Sequence, residues 1–95
     1  MKTITGTLRD GITISGKTHL EFELREPTTD DLFEAEDEAG TDTPLKFNGA
    51  VIARTLVRCG TFNGPFTFQM IRKLTRRDYV TLSNAMKEAE KLGEG

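Results

Sequence analysis

The stretch FELREPTTDDLFEAEDEAG, residues 22–40, decides the fold. Up to Arg25 the period is two. Leu20, Phe22 and Leu24 fall on one side and His19, Glu21, Glu23 and Arg25 on the other, the pattern of an antiparallel strand with one wet face. Past Pro27 the period becomes helical. Thr28 is placed to cap a helix, and Asp31 answers at the third helical position as an acidic analogue of the capping box. Asp30 and Asp31 also lie in the first turn, where the helix dipole favours negative charge. Leu32, Ala35 and Ala39 form a narrow apolar stripe, and Gly40 supplies a stop. The stretch therefore predicts a strand exit, a proline break and a short acidic helix over 29–39.

Upstream, TITGTL and ITIS read as strands. Arg9-Asp10-Gly11 and Ser15-Gly16-Lys17 are the expected turns, because Asp-Gly and Ser-Gly accept positive φ. Downstream, TDTP is a break and LKFNGAVIARTLVRCG predicts a second helix. Val51, Ile52, Thr55, Leu56 and Cys59 recur there at helical spacing, with Phe47 packing at the start and Gly60 as the stop. TFNGP is a loop and FTFQMIRKL a short helical piece. The last helix carries a strong start signal: Thr75 as cap, Asp78 at the third position, and Leu74 with Tyr79 as a hydrophobic staple. Tyr79, Leu82, Met86 and Ala89 line one face, and KLGEG is expected to fray. The expectation is a single α+β domain over 1–95, β-rich over 1–26 and helical over 28–92. Its architecture is an N-terminal antiparallel β-hairpin or three-stranded meander followed by three to four α-helices.

A chain of 95 residues buries about 60–70% of the surface its unfolded form exposes, enough for one modest core. A net charge of −2 makes no strong claim on nucleic acid or an anionic membrane. The single cysteine, Cys59, excludes an internal disulfide and fits a reducing compartment. The N-terminus has no continuous apolar region of a signal peptide, and no apolar run approaches the roughly 18 residues of a membrane span. These features point to a small cytoplasmic domain.

The chemistry-bearing side chains argue against an enzyme. Asp30, Asp31, Glu34, Glu36, Asp37 and Glu38 share one short helix and are expected to share one wet environment, whereas an acid/base pair needs environments that separate two pKa values. DEAGTDTPLKFN lacks the acid order of a calcium loop. Cys59 has only His19 as a possible base, and the two are expected apart, the thiol buried and the imidazole on the wet face. No catalytic, cofactor or metal site follows. The charge distribution says more: between Lys46 and Arg77 there are seven bases and no acid. The acidic helix is expected to lie against this basic middle, with Arg54, Arg58, Arg76 and Arg77 as candidates to steer an acidic partner. Three of the six phenylalanines, Phe62, Phe66 and Phe68, surround one loop, either as core or with one or two exposed for a partner.

The order of FELREPTTDDLFEAE, AVIARTLVRCG and LTRRDYVTLSNAM resembles the tail assembly chaperones of Mu-like and related contractile-tailed phages, small proteins often called tail assembly protein E. The pieces that carry the resemblance are Arg25, Glu26, Pro27 and Thr28 with Asp31 and Leu32, then Leu74 with Asp78 and Tyr79. The AGTDTPLKFNG connection and the Phe-rich segment depart from that pattern. The resemblance implies a non-enzymatic protein of the bacterial host cytoplasm. It would bind the tape measure protein and keep it soluble while the tail tube polymerises, and be absent from the finished particle. It also implies self-association or pairing with a frameshifted longer form of the same chain. The alternatives are a nucleic-acid-binding module using Arg72 to Arg77, or a structural component retained in the tail.

Overall fold

The computed structural model describes residues 3–94, with side chains through Lys91. Two strands, β1 (Thr3–Ile14) and β2 (Lys17–Arg25), form a hairpin. They are followed by α1 (Thr29–Ala39), α2 (Pro44–Thr55), β3 (Leu56–Cys59), α3 (Phe68–Arg72) and α4 (Arg76–Glu94). The sheet is antiparallel throughout, in the order β1-β2-β3, so the third strand comes from beyond α2 rather than from the N-terminal meander. The fold is α+β. Leu8, Ile12, Phe22 and Leu24 of the sheet pack against Val51 and Ile52 of α2 and Leu82, Ala85 and Met86 of α4.

Three expectations about element boundaries are corrected. Asp10-Gly11 is not a turn. Pairing runs from Thr3↔Arg25 to Thr7↔Glu21 and resumes at Ile12↔His19, five steps along β1 against two along β2. Three extra residues therefore bow out of β1 as a bulge, with Gly11 at φ 84°. The predicted second helix stops at Thr55, and Leu56–Cys59 continues as β3, so a strand lies inside the region expected to be helical. Leu56 and Cys59 satisfy either reading, since both are buried facing Leu24 and Phe22. The last helix extends to Glu94, past the expected helical bound at 92, and Gly95 lies outside the described residues.

Opposite the bulge the alternation of β2 also breaks. Past it, His19 turns inward and is buried, while Leu20 is left exposed, the reverse of the simple alternation. The imidazole packs over Gly60, where a Cβ would stand 2.4 Å from Nδ1 and φ is 60°. Cys59 is likewise buried, its Sγ donating to the His19 carbonyl at 3.5 Å.

Candidate partner-binding groove

The residues that carry the resemblance occupy two joints of the fold. At the first, the Arg25 guanidinium donates to both Asp31 oxygens, at 2.6 and 3.1 Å, and to the carbonyls of Glu26 and Arg54. Asp31 accepts from the Thr28 amide at 2.7 Å, and Thr28 Oγ1 accepts from the Asp31 amide at 3.2 Å, completing the capping box. One cation thus ties the end of β2 to the start of α1 and to the last turn of α2, whose carbonyls lack helical partners. Asp31 is therefore not a wet carboxylate. It is buried, and the Arg25 hydrogen bonds hold its carboxyl below the ordinary value while Asp31 raises the guanidinium. Glu26 and Pro27, both half-buried, bridge strand and helix, and Leu32 is exposed.

At the second joint Asp78 is fully buried, and its carboxylate accepts from the amides of Arg9, Asp10 and Gly11 at 2.8, 3.0 and 2.8 Å. The bulge removes these donors from the ladder and turns them toward one anion. Thr75 caps as expected, accepting from the Asp78 amide at 3.4 Å, and donates to Asp10 at 2.9 Å. The expected answering role of Asp78 within its own helix is replaced by this long-range contact with β1.

The second joint sets the first turn of α4 beside α2 and α3, and a groove opens between them. Leu45, Phe68, Ile71, Leu74 and Tyr79 give it an apolar lining around Gly49, over which the Phe68 ring lies. Lys46, Arg72 and Arg76 form its rim, and among the described residues no acid lines it. Its volume is about 360 Å³, open to solvent. The Tyr79 hydroxyl donates to the Leu45 carbonyl, fixing one wall, and burial pushes its pKa up. Arg72 stands 5.6 Å from the Phe68 ring centroid, a cation–π distance.

The candidate partner residues separate accordingly. Phe68 and Arg76 line the groove, and Arg77 is exposed beside it. Phe66 is buried and Phe62 half-buried, their rings in an edge contact at 5.1 Å, so these two serve the core. Arg54 is engaged by Glu34 and Glu38 of α1, and Arg58 by Glu23 of β2. The acidic helix does lie against the basic middle, through Arg54. Sequence reasoning did not single out Leu45, Gly49 or Ile71 for this site. A leucine directly after a helix-opening proline, with Lys46 next to it, was the available signal.

The other polar clusters offer no alternative centre. Among the described residues no group of three His, Cys, Asp or Glu side chains is placed to hold a metal ion, and no helix is long and apolar enough to cross a membrane. Burial pushes the Cys59 thiol up, away from the nucleophilic thiolate.

Comparison with curated proteins and with solved structures yields no match. A family model described as tail assembly protein gp41 matches residues 8–94, a span that includes both joints and the groove. The chain belongs to the tail assembly protein gp41 family, and its role lies in phage tail assembly.

Proposed function

We propose that the chain is a non-enzymatic tail assembly chaperone of the protein E type. It binds an amphipathic helical segment of the tape measure protein in the host cytoplasm and keeps it soluble while the tail tube assembles. The observation that carries this reading is the open apolar groove whose rim is wholly basic. An unassembled tape measure helix exposes an apolar stripe, an aggregation hazard that a reversible apolar contact relieves. Phe68, Ile71 and Tyr79 suit the stripe. Lys46, Arg72 and Arg76 suit acids flanking it, and steer encounter more than they add affinity. The apolar lining favours a helix over a phosphate backbone, which would call for donors without such a floor.

The test is co-expression with the tape measure protein of the same genome, followed by size-exclusion chromatography. The tape measure is expected to become soluble and co-elute with the wild-type chain, and to lose both properties with Phe68→Ser or Arg76→Glu. A tape measure that stays insoluble beside the wild-type chain overturns the proposal.

A further inference from the structure

Three places in the chain put a glycine directly after an aspartate or asparagine: Asp10-Gly11, Asn48-Gly49 and Asn63-Gly64. Such pairs carry latent chemistry. An unhindered glycine amide nitrogen can attack the neighbouring side-chain carbonyl carbon and close a five-membered imide. The attack needs a nitrogen free to give up its proton and a backbone free to bend. The fold withholds these at two of the three places. The Gly11 amide donates to the Asp78 carboxylate at 2.8 Å. Gly49 is buried within α2, where a helical amide is bonded four residues back, and the Phe68 ring lies over it. The third place is different. Asn63 is exposed in the irregular segment between the Cys59–Phe62 bridge and α3. Gly64 lies outside every described helix and strand, and among the described residues no hydrogen bond engages its amide.

We propose that Asn63 is a site of spontaneous deamidation, at which the folded chain converts its own Asn63-Gly64 link to isoaspartate and aspartate. The Gly64 nitrogen bonds to the Asn63 side-chain carbonyl carbon. That carbon releases its amino group, which departs as ammonia with the proton given up by the Gly64 amide. Water then opens the imide. Addition at the side-chain carbonyl restores the ordinary main chain with an aspartate at position 63. Addition at the main-chain carbonyl leaves the chain running through the side chain, one carbon longer. Either product carries a carboxylate, ionised at neutral pH, and makes the net charge one unit more negative than −2. The isoaspartate does more. Phe62 is tied to Cys59 by two backbone hydrogen bonds, at 2.9 and 3.0 Å, and Phe66 is buried with its ring against Phe62 at 5.1 Å. A carbon added between these anchors has to be absorbed by residues 63–65. Thr67, at the end of the same segment, caps α3, so the change falls on the support of Phe68 and the groove wall.

Tryptic cleavage separates the two asparagine–glycine pairs, Asn48 falling in residues 47–54 and Asn63 in residues 59–72. The test ages the folded chain in mildly alkaline buffer, digests it and reads both peptides by mass spectrometry, with circular dichroism confirming that the fold persists. Residues 59–72 are expected to gain the deamidation mass, to resolve into two isomers, and to accept a methyl group from an isoaspartate methyltransferase. Residues 47–54 should keep their amide. In urea both peptides should convert at similar rates, since the fold alone protects Asn48. Asn63→Gln should stay unmodified, because glutamine would have to close a six-membered ring. Aged wild type should melt lower than fresh wild type, and aged Asn63→Gln should not. Fresh Asn63→Asp, which adds the charge without the carbon, should melt close to fresh wild type. Residues 59–72 that keep their amide in the folded chain, or residues 47–54 that convert there as fast, overturn the inference. Converted and fresh wild type sharing one melting temperature overturn the strain placed between Phe62 and Phe66.

Discussion

Asp78 shows how one side chain holds two ends of a chain together. Its carboxylate accepts from three successive, partly buried amides of the bulge, and a hydrogen bond to a charged group contributes about 1.5–3 kcal/mol. Asp78→Ala is therefore expected to lose at least about 3 kcal/mol, read as a fall in the urea midpoint. Asp31 carries a pH signature. Its folded pKa lies below the unfolded value, so the Arg25 pair contributes stability that is complete above about pH 4 and is withdrawn as pH falls through the lower folded value. Asp31→Asn should be less stable at neutral pH and should lose less on acidification than wild type, measured by urea unfolding across that range. Cys59 belongs here too. With its thiol buried and its pKa raised, it should react with a thiol reagent only when the chain unfolds, and native-state labelling at the rate of a free thiol would contradict its placement.

Elements bring a different lesson, because local signals fixed some boundaries and left others open. The acidic helix was legible to the residue, from Thr28 to Gly40, since capping and dipole effects act within one turn. The end of α2 was not. Val51, Ile52, Leu56 and Cys59 satisfy helical spacing, yet the edge of β2 offers a hydrogen-bonding partner that captures Leu56–Cys59 as a strand. That competition is tertiary and leaves no local mark. The bulge is a similar case: Asp10-Gly11 advertises positive φ, and whether it becomes a turn or a bulge depends on Asp78, 68 residues away. The Phe-rich segment divides in the same manner. Phe66→Ser is expected to cost about 3–5 kcal/mol, as for a buried aromatic. Phe68→Ser, at the half-buried groove wall, should cost markedly less while abolishing the proposed tape measure binding. Parallel thermal melts and co-elution assays check both, and equal destabilisation would move Phe68 into the core.

At the scale of the whole molecule, charge is sorted rather than accumulated. A net charge of −2 hides an acidic ridge on α1 and a basic rim on the groove, with Arg54 and Arg58 neutralised internally. The acid-free run from Lys46 to Arg77 was visible in the sequence, but not which of its cations remain free, because that depends on which acids folding brings to them. Exposed pairs add little stability, so Arg54→Ala should lower it by at most about 1 kcal/mol. The proposed tape measure binding, by contrast, should weaken as salt rises and should fall further with Arg76→Glu than with Arg54→Ala, as measured by titration at low and high ionic strength.

The carboxylate of Asp78 gives the molecule a definite order of completion. A ribosome releases the hairpin first, yet β2 waits for residues 56–59 to gain its outer neighbour, and the bulge waits for residue 78 to find its anion. Contacts between such distant positions slow folding, since a long loop must close before any of them forms. A nascent chain halted before α4 would hold an unfinished sheet with three amides turned toward nothing, and with no fourth helix its groove would lack a wall. The groove therefore exists only once α4 has been made, and in the chaperone reading proposed above translation withholds binding until Tyr79 has emerged.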